Sequence, residues 1–184
     1  MPRLTELAHD AVRPVLGPGN VAIDATAGNG YDTAFLAKQV GPTGHVFAFD
    51  IQSEAIARTH KAVRAFENVT LFLRDHGELR DAIPEHHSGQ VAAVMFNLGY
   101  LPGGDKSITT HAETTARALA SALDLLRTGG VLTVLAYTGH PGGREEADAV
   151  ARRLGELPGG FAIREVRSES DEAAPRLFVV QKRA

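Results

Sequence analysis

The sequence predicts an α/β protein whose single domain, residues 1–184, holds a seven-stranded, mostly parallel sheet with helices on both faces. Two observations lead to this prediction. Short apolar segments typical of buried strands alternate with amphipathic segments of helical period through most of the chain. The last two strand-like segments then follow each other with only a loop between them, so we expect them to form a C-terminal antiparallel hairpin.

The elements follow in a regular order. Residues 4–16 have a helical pattern that Pro14 should weaken in its last turn, and residues 21–23 form a short apolar strand. Further strands are predicted at 45–49, 69–73, 91–96, 131–136, 161–167 and 177–181, and further helices at 32–40, 53–66, 78–83, 110–126 and 144–157. The turn Gly129-Gly130 should precede the fifth strand.

The composition is ordinary for a globular protein, with 43% hydrophobic and 22% charged residues, and it excludes several kinds of site. Because cysteine is absent, disulfides and thiolate metal sites are excluded, and no metal site is predicted. The N-terminal residues lack the apolar core of a signal peptide, and no apolar run reaches the roughly 18 residues of a membrane helix, so we expect a cytoplasmic protein. The net charge of −3 argues against a large nonspecific nucleic-acid surface.

The loop after the first predicted strand is the main candidate for a cofactor site. In doubly wound sheets, ligands bind outside the carboxyl ends of the strands. Glycines in such a loop let the backbone approach the ligand closely, and the following helix presents free N–H groups there. The candidate cofactor-binding residues of this segment are Asp24, Thr26, Gly28, Asn29, Gly30, Asp32 and Thr33.

Residues after the second and third strands extend this candidate site. Asp50 can accept both ribose hydroxyls of an adenosine, and Ile51 and Gln52 continue the segment. Asp75 and His76 follow the third strand, where a side chain could hydrogen-bond the adenine amine. An alternative for Asp75 is to cap the short helix that follows, and an alternative for His76 is a turn residue.

The loop favours S-adenosyl-L-methionine over a nicotinamide dinucleotide as the cofactor. The dinucleotide fingerprint needs a third Gly or Ala, and that place is held by Thr33. Asp24 would also repel a pyrophosphate, whereas it would attract the ammonium and sulfonium groups of S-adenosylmethionine. An NAD-linked oxidoreductase and a cofactor-binding module without catalytic activity remain alternatives.

The stretch after the fourth strand is the candidate acceptor site. Asn97 and Tyr100 keep the first and fourth positions of the Asn-Pro-Pro-Tyr pattern of amino-group methyltransferases, while Leu98-Gly99 replaces the prolines. In that pattern the amide accepts a hydrogen bond from the target amine, and the aromatic ring stacks on the base. Asn97 and Tyr100 are therefore predicted to be catalytic, and Asn97 is also predicted to border the cofactor.

Two residues are candidates for the group that accepts a proton from the target amine. An ammonium has no lone pair, so it must lose a proton before it can attack a methyl group. Asp105 lies in residues 97–106 after the fourth strand, which we call the acceptor loop, and His140 follows the fifth strand. Either side chain could take that proton. Alternatively, Asp105 is a solvated surface residue and His140 is a turn residue.

Four segments resemble the YtqB-like class I methyltransferases of bacteria. They are Asp24-Ala-Thr-Ala-Gly-Asn-Gly-Tyr-Asp-Thr33, Phe47-Ala-Phe-Asp-Ile-Gln52, Phe96-Asn-Leu-Gly-Tyr-Leu-Pro-Gly-Gly-Asp-Lys-Ser-Ile108 and Gly139-His-Pro141. The resemblance implies a Rossmann-like class I methyltransferase fold over nearly the whole chain, S-adenosylmethionine as cofactor, and a homodimer. It also implies a tRNA substrate, in which the primary amine of 5-aminomethyl-(2-thio)uridine at the wobble position of the anticodon arm is methylated. A methyltransferase acting on rRNA or on a small-molecule amine is the alternative.

An RNA substrate would need phosphate contacts despite the negative net charge. A small anticodon arm could bind through few phosphates and one stacked base. The basic candidates, each of which could equally be a solvated helix residue, are Arg58, Lys61, Arg64, Lys106, Arg144, Arg152 and Arg153.

Overall fold

The computed structural model describes residues 3–167 and 174–183, and in these ranges strands and helices alternate along the chain as predicted. The strands are β1 (Val21–Asp24), β2 (His45–Asp50), β3 (Val69–Leu73), β4 (Val91–Leu98), β5 (Leu126–Ala136), β6 (Phe161–Val166) and β7 (Arg176–Lys182). The helices are α1 (Leu4–Val12), α2 (Tyr31–Val40), α3 (Ser53–Ala62), α4 (Leu79–Ala82), α5 (Ala112–Leu125) and α6 (Gly143–Gly155).

These strands form one sheet in the order β3-β2-β1-β4-β5-β7-β6. Strands β1 to β5 are parallel to one another. Strand β7 runs antiparallel to both β5 and β6, which confirms the predicted C-terminal hairpin and places β7 between the other two. The strand order reverses between β1 and β4, and this switch point is where a doubly wound sheet opens a cleft at its carboxyl edge.

The two faces of the sheet are covered by different helices. Val94 and Phe96 of β4 pack in a core with Leu119 of α5, whereas Met95 packs on the opposite face with Leu36 of α2. Successive side chains of a strand point to opposite faces, so a continuously apolar strand such as β4 must be covered on both. The prediction of helices on both faces is confirmed.

Several boundaries differ from the predictions. Helix α1 ends at Val12, and Arg13–Val15 continues as a 3-10 turn that contains Pro14, as the proline suggested. Helix α3 stops at Ala62 rather than at residue 66. Strand β5 begins at Leu126, so the predicted Gly129-Gly130 turn lies inside the strand as an irregularity.

Within residues 3–167 and 174–183, no helix is both long enough and apolar enough to cross a membrane.

Candidate active site

A cleft of about 560 Å³ opens at the carboxyl edge of the sheet, within the roughly 300–1,000 Å³ range of small-molecule sites. Its walls come from the loops after β1, β2, β3, β4 and β5, together with one face of α1. The predicted cofactor and acceptor residues therefore converge on one cleft, although not every one of them reaches its surface. The lining includes these predicted residues: Thr26, Gly28, Asn29, Asp32, Asp50, Ile51, Gln52, Asp75, His76, Asn97 and Tyr100.

The glycine loop after β1 brings its backbone to the cleft through Gly28, which has a positive φ of 54°. Gly30 has a different role. Its φ is 82°, and a Cβ atom there would lie 2.8 Å from the Cα of Thr59 on α3. Gly30 is therefore required for close packing of the loop against α3. It was predicted to contact the cofactor, but it does not line the cleft.

Asp50 at the end of β2 is held in place by two backbone N–H groups. Its Oδ2 accepts from Gly28 at 2.9 Å, and its Oδ1 accepts from Gln52 at 2.9 Å. Each carboxylate oxygen keeps a further lone pair. The side chain can thus receive two hydroxyl groups from the cleft without giving up the bonds that orient it.

Asp24 is a correction to the predicted cofactor contacts, because its carboxylate is completely buried beneath the cleft. It accepts hydrogen bonds from the Thr26 backbone N–H at 3.1 Å and from the Thr33 hydroxyl at 2.6 Å. Burial, with the negative charge of Asp32 as the next cause, raises the pKa of Asp24 to about 7. Thr33 is equally buried, so Asp24 and Thr33 support the loop from beneath and neither lines the cleft.

The residues after β3 are fixed by contacts within the protein. Asp75 accepts from the backbone N–H of Gly77 at 2.6 Å, which confirms its predicted capping role and leaves an adenine contact as a prediction. The His76 ring lies 3.3 Å from the hydroxyl of Thr115 on α5 and packs edge-on against Phe96. Burial lowers the pKa of His76, so its ring is held in the neutral form.

Asn97, near the end of β4, lies at the cleft surface and is bonded on two sides. Its backbone N–H donates to the Thr26 hydroxyl at 2.7 Å, and its side-chain Nδ2 donates to Asp32 Oδ2. The other Asp32 oxygen accepts from His9 Nε2 of α1 at 2.6 Å. His9 was not among the predicted site residues, because the helical pattern of α1 does not show that this histidine faces the cleft.

All three tyrosines of the chain line the cleft and are exposed. Tyr31 begins α2 and is 77% exposed, while Tyr100 and Tyr137 follow β4 and β5 and are 37% and 39% exposed. Partial burial of its ring raises the pKa of Tyr137, and the negative charge of Asp32 raises it further. Three exposed aromatic rings around one cleft are suited to planar ligands.

Neither candidate proton acceptor lines the cleft, and the proton-accepting role of each stays a prediction. Asp105 is fully exposed, does not line the cleft, and accepts hydrogen bonds from the backbone and hydroxyl of Ser107 that lower its pKa. His140 Nδ1 donates to the Pro141 carbonyl at 3.0 Å, and its Nε2 is buried under the protein surface without a hydrogen-bond partner among the described residues. The alternatives of a surface residue and a turn residue describe these two positions better.

Arg58 of α3 was predicted as a phosphate contact, but its guanidinium instead hydrogen-bonds both the acceptor loop and the glycine loop. Its Nη1 donates to Asn29 Oδ1 and to the Pro102 carbonyl, both at 2.9 Å. Its Nη2 donates to the Gly103 carbonyl at 3.1 Å and to Glu54 at 2.6 Å. We call this set of contacts the Arg58 bridge.

Comparison with known proteins gives a consistent result. The family model described as "Putative rRNA methylase" matches residues 46–182. The chloroplastic tRNA (mnm5s2U34)-methyltransferase of Arabidopsis thaliana is 42% identical over 159 residues, which make up 80% of this chain and 57% of the plant protein. The chain thus spans little more than half the length of that curated relative.

Two solved structures are similar over nearly their whole length. A "putative rRNA-methylase" from Clostridium thermocellum is 40% identical with a TM-score of 0.93, and the match covers 99% of this chain and 98% of that one. A "putative methyltransferase" from Streptococcus mutans, solved in complex with SAH, is 34% identical with a TM-score of 0.88 and 99% coverage of both chains.

Proposed function

Because the chain belongs to the family described as "Putative rRNA methylase" and has the class I methyltransferase fold, we propose that it is an S-adenosylmethionine-dependent N-methyltransferase. We propose as its acceptor the primary amine of 5-aminomethyl-(2-thio)uridine at the wobble position of tRNA. The observation that carries the proposal is the position of Asn97, which lines the same cleft as Asp50 and the exposed ring of Tyr100. The name of the Arabidopsis relative, a tRNA (mnm5s2U34)-methyltransferase, supports this acceptor.

The cofactor half of the cleft fits S-adenosylmethionine. Asp50 has lone pairs left for two ribose hydroxyls, and Gly28 exposes bare backbone beside it. Ile51 presents an exposed apolar side chain next to Asp50, suited to one face of an adenine ring. When bound, the cofactor supplies a methyl group activated by a sulfonium. The SAH found in the Streptococcus mutans relative is the product expected after such a transfer.

The acceptor half fits a neutral amine carried on a flat base. In-line displacement at a methyl group requires the attacking nitrogen to be held at roughly 3–3.5 Å in the correct direction, and that alignment supplies much of the rate acceleration. The Asn97 amide can hold the amine, and Tyr100 can stack on the base. Lys106 lies 5.5 Å from the centre of the Tyr100 ring and is a candidate contact for a phosphate beside a stacked nucleotide.

The proposal is tested by mass spectrometry of tRNA nucleosides from cells that lack the protein. We expect the unmethylated aminomethyl nucleoside to accumulate and the methylated one to return with the wild-type gene. Asn97→Ala should fail to restore it, with methylation reduced by at least about 100-fold because the amine loses its positioning group. Gln90→Ala, which removes an exposed amide outside the cleft, is the matched control and should restore it fully.

An unchanged nucleoside profile would reject this acceptor and favour the alternatives. The family description, and a 26% match over 52% of the chain to the ribosomal RNA small subunit methyltransferase H of Streptococcus equi, make rRNA the second candidate. Methyl transfer from labelled cofactor to purified rRNA, tRNA and small amines separates these acceptors. Tight NADH binding without SAH binding would indicate an oxidoreductase, and SAH binding with no acceptor would indicate a module without catalytic activity.

We also propose a homodimer in the cytoplasm as the working state. Among the described strands β6 forms one edge of the sheet, and its Ile163 side chain is exposed, which gives an apolar surface that a second copy could cover. Light scattering during size-exclusion chromatography would measure the mass, and a monomer at micromolar concentration would contradict the dimer. A fluorescent fusion would show the compartment, a useful check because the Arabidopsis relative is chloroplastic.

A further inference from the structure

Three side chains from three separate elements form a hydrogen-bonded row along the cleft wall. His9 lies on α1, Asp32 in the first turn of α2, and Asn97 near the end of β4. Asp32 is at the centre, accepting from His9 Nε2 through Oδ1 at 2.6 Å and from Asn97 Nδ2 through Oδ2. All three line the cleft, and the His9 and Asp32 side chains are only 23% and 12% exposed.

The chemistry of this row determines which way the Asn97 amide faces. An ionised carboxylate can only accept hydrogen bonds, so Asn97 must present its NH₂ group to Asp32. The backbone of Asn97 is fixed at the same time by its bond to Thr26. Rotation of the amide by half a turn would set its carbonyl oxygen against the Asp32 carboxylate, where two acceptors repel each other. The carbonyl oxygen is therefore left free for a different partner.

His9 holds Asp32 in the orientation that this arrangement needs. The His9 ring stacks on Phe35 of α2 with centroids 3.8 Å apart and planes 2° from parallel, so its Nε2 position is fixed. Asp32 lies in the first turn of a helix, where free backbone N–H groups offer a carboxylate another set of donors. The bond from His9 competes with that local alternative and keeps Asp32 directed at Asn97.

We propose that His9 and Asp32 are positioning residues that fix the Asn97 amide with its carbonyl oxygen toward the acceptor, so that the site selects a nitrogen nucleophile bearing an N–H. This proposal rests on the proposed function and adds two residues to its site. A primary amine has an N–H to donate to that oxygen while its lone pair points at the methyl group. An acceptor without such a donor would leave the Asn97 oxygen unpaired, which costs binding.

Kinetics of the full-length protein test the proposal, with tRNA that carries 5-aminomethyl-uridine. Asp32→Ala and His9→Ala should lower kcat by about 10- to 100-fold. The Kd of His9→Ala for SAH should change less than about twofold, because His9 is not among the candidate cofactor-binding residues. His9→Gln, which keeps an N–H donor within reach of Asp32, should recover most of the loss, and His60→Ala on the exposed face of α3 is the matched control.

Double variants separate a positioning role from a structural one. If His9 and Asp32 act through Asn97, adding either alanine substitution to Asn97→Ala should lower kcat no further, because the group they position is absent. Multiplicative losses, or an Asp32→Ala enzyme with the wild-type kcat, would overturn the proposal. So would equal activity of His9→Gln and His9→Ala.

A measurement without substrate keeps this inference separate from the proposed acceptor. The side-chain NH₂ signals of Asn97, assigned by their loss in Asn97→Ala, should show one strongly bonded proton in the free wild-type protein. That shift should disappear in Asp32→Ala and weaken in His9→Ala. If the tRNA is not methylated by the wild type but these signals behave as expected, the proposed acceptor fails and the orientation of Asn97 stands. If the tRNA is methylated but the signals are those of a free amide, the positioning role fails.

Discussion

Asp24 was predicted to contact the cofactor, and in the fold it lies buried beneath the loop after β1 and supports that loop. Its carboxyl lies at the end of β1, completely buried, with one oxygen bonded to Thr26 of the following loop and the other to Thr33 of α2. Its pKa is raised to about 7, first by burial and then by the charge of Asp32. The folded protein therefore retains a proton that the unfolded chain, with an ordinary aspartate of pKa 3.8, releases near pH 4.

The pH dependence of stability should report this proton. Between about pH 4 and pH 7 the unfolded state has lost the proton and the folded state has kept it, so the free energy of unfolding falls as pH rises, by up to about 1.4 kcal/mol per pH unit. Asp24→Asn keeps the neutral form at every pH and should remove that slope. Denaturant titrations of both proteins across this range give the difference.

Asp81→Asn, at an exposed position on α4, is the control and should leave the slope unchanged. If the free energies of unfolding of wild type and Asp24→Asn differ by a constant amount from pH 4 to pH 8, then Asp24 has an ordinary pKa.

Single residues could be predicted from the sequence where spacing along one strand-to-loop unit was enough. Gly28 and Asp50 come at the ends of adjacent parallel strands, so both were predicted at one candidate site, and they meet there at 2.9 Å. His9 and Asp32 come from two helices, and their contact depends on how α1 packs against the sheet. Asp105 and His140 were assigned by residue type and by their position after a strand, and neither carries information about burial or local hydrogen bonds.

Among the elements, the acceptor loop depends on α3 through the Arg58 bridge. Four hydrogen bonds from one guanidinium hold Pro102 and Gly103 of that loop next to Asn29 and the α3 residue Glu54. The loop is thus held from outside the sheet, at a position beyond the end of β4. Its conformation should be sensitive to a residue that has no role in the chemistry.

Arg58→Ala should loosen the acceptor loop more than it destabilises the fold. The Arg58 side chain is partly exposed, so we expect the free energy of unfolding to fall by only about 1 kcal/mol. Limited proteolysis should cut residues 99–106 several-fold faster, and the KM for RNA should rise. Lys61→Ala, on the same helix, is the matched control, and equal cleavage rates for both variants would show that the bridge does not hold the loop.

The ends of elements were predicted less well than the elements themselves, for a physical reason. Strand β5 extends back to Leu126 because its pairing with β4 continues past an irregularity at which Gly129 adopts a φ of 78°. A glycine pair looks like a turn in the sequence, and only the neighbouring strand shows that the pairing continues. The antiparallel pairing of β6 and β7 was predictable because no helix separates them.

At the scale of the whole molecule, the net charge of −3 limits how the proposed RNA substrate could be held. With the Arg58 guanidinium bonded within the protein, we expect the three tyrosines that line the cleft to contribute much of the affinity. Stacking on aromatic rings depends little on salt, whereas each phosphate contact releases counterions.

The affinity for an anticodon stem-loop should therefore depend weakly on salt. With two or three phosphate contacts, raising salt from 50 to 200 mM should weaken binding about ten- to fortyfold, against a thousandfold or more for six to ten contacts. Fluorescence anisotropy over this range measures the slope, and Lys106→Ala should reduce its magnitude by about one. A loss of a thousandfold would point to an extended basic surface instead.

The Arg58 bridge has a thermodynamic consequence for the order in which the two substrates arrive. One guanidinium bonds Asn29, in the proposed cofactor loop, and Pro102, in the proposed acceptor loop. A ligand that rigidifies one loop also lowers the conformational entropy of the other, so a second ligand loses less entropy when it binds there. By linkage, each ligand then raises the affinity for the other by the same factor. The two substrates should thus bind with positive heterotropic cooperativity, and the free protein should hold each of them more weakly than the ternary complex does.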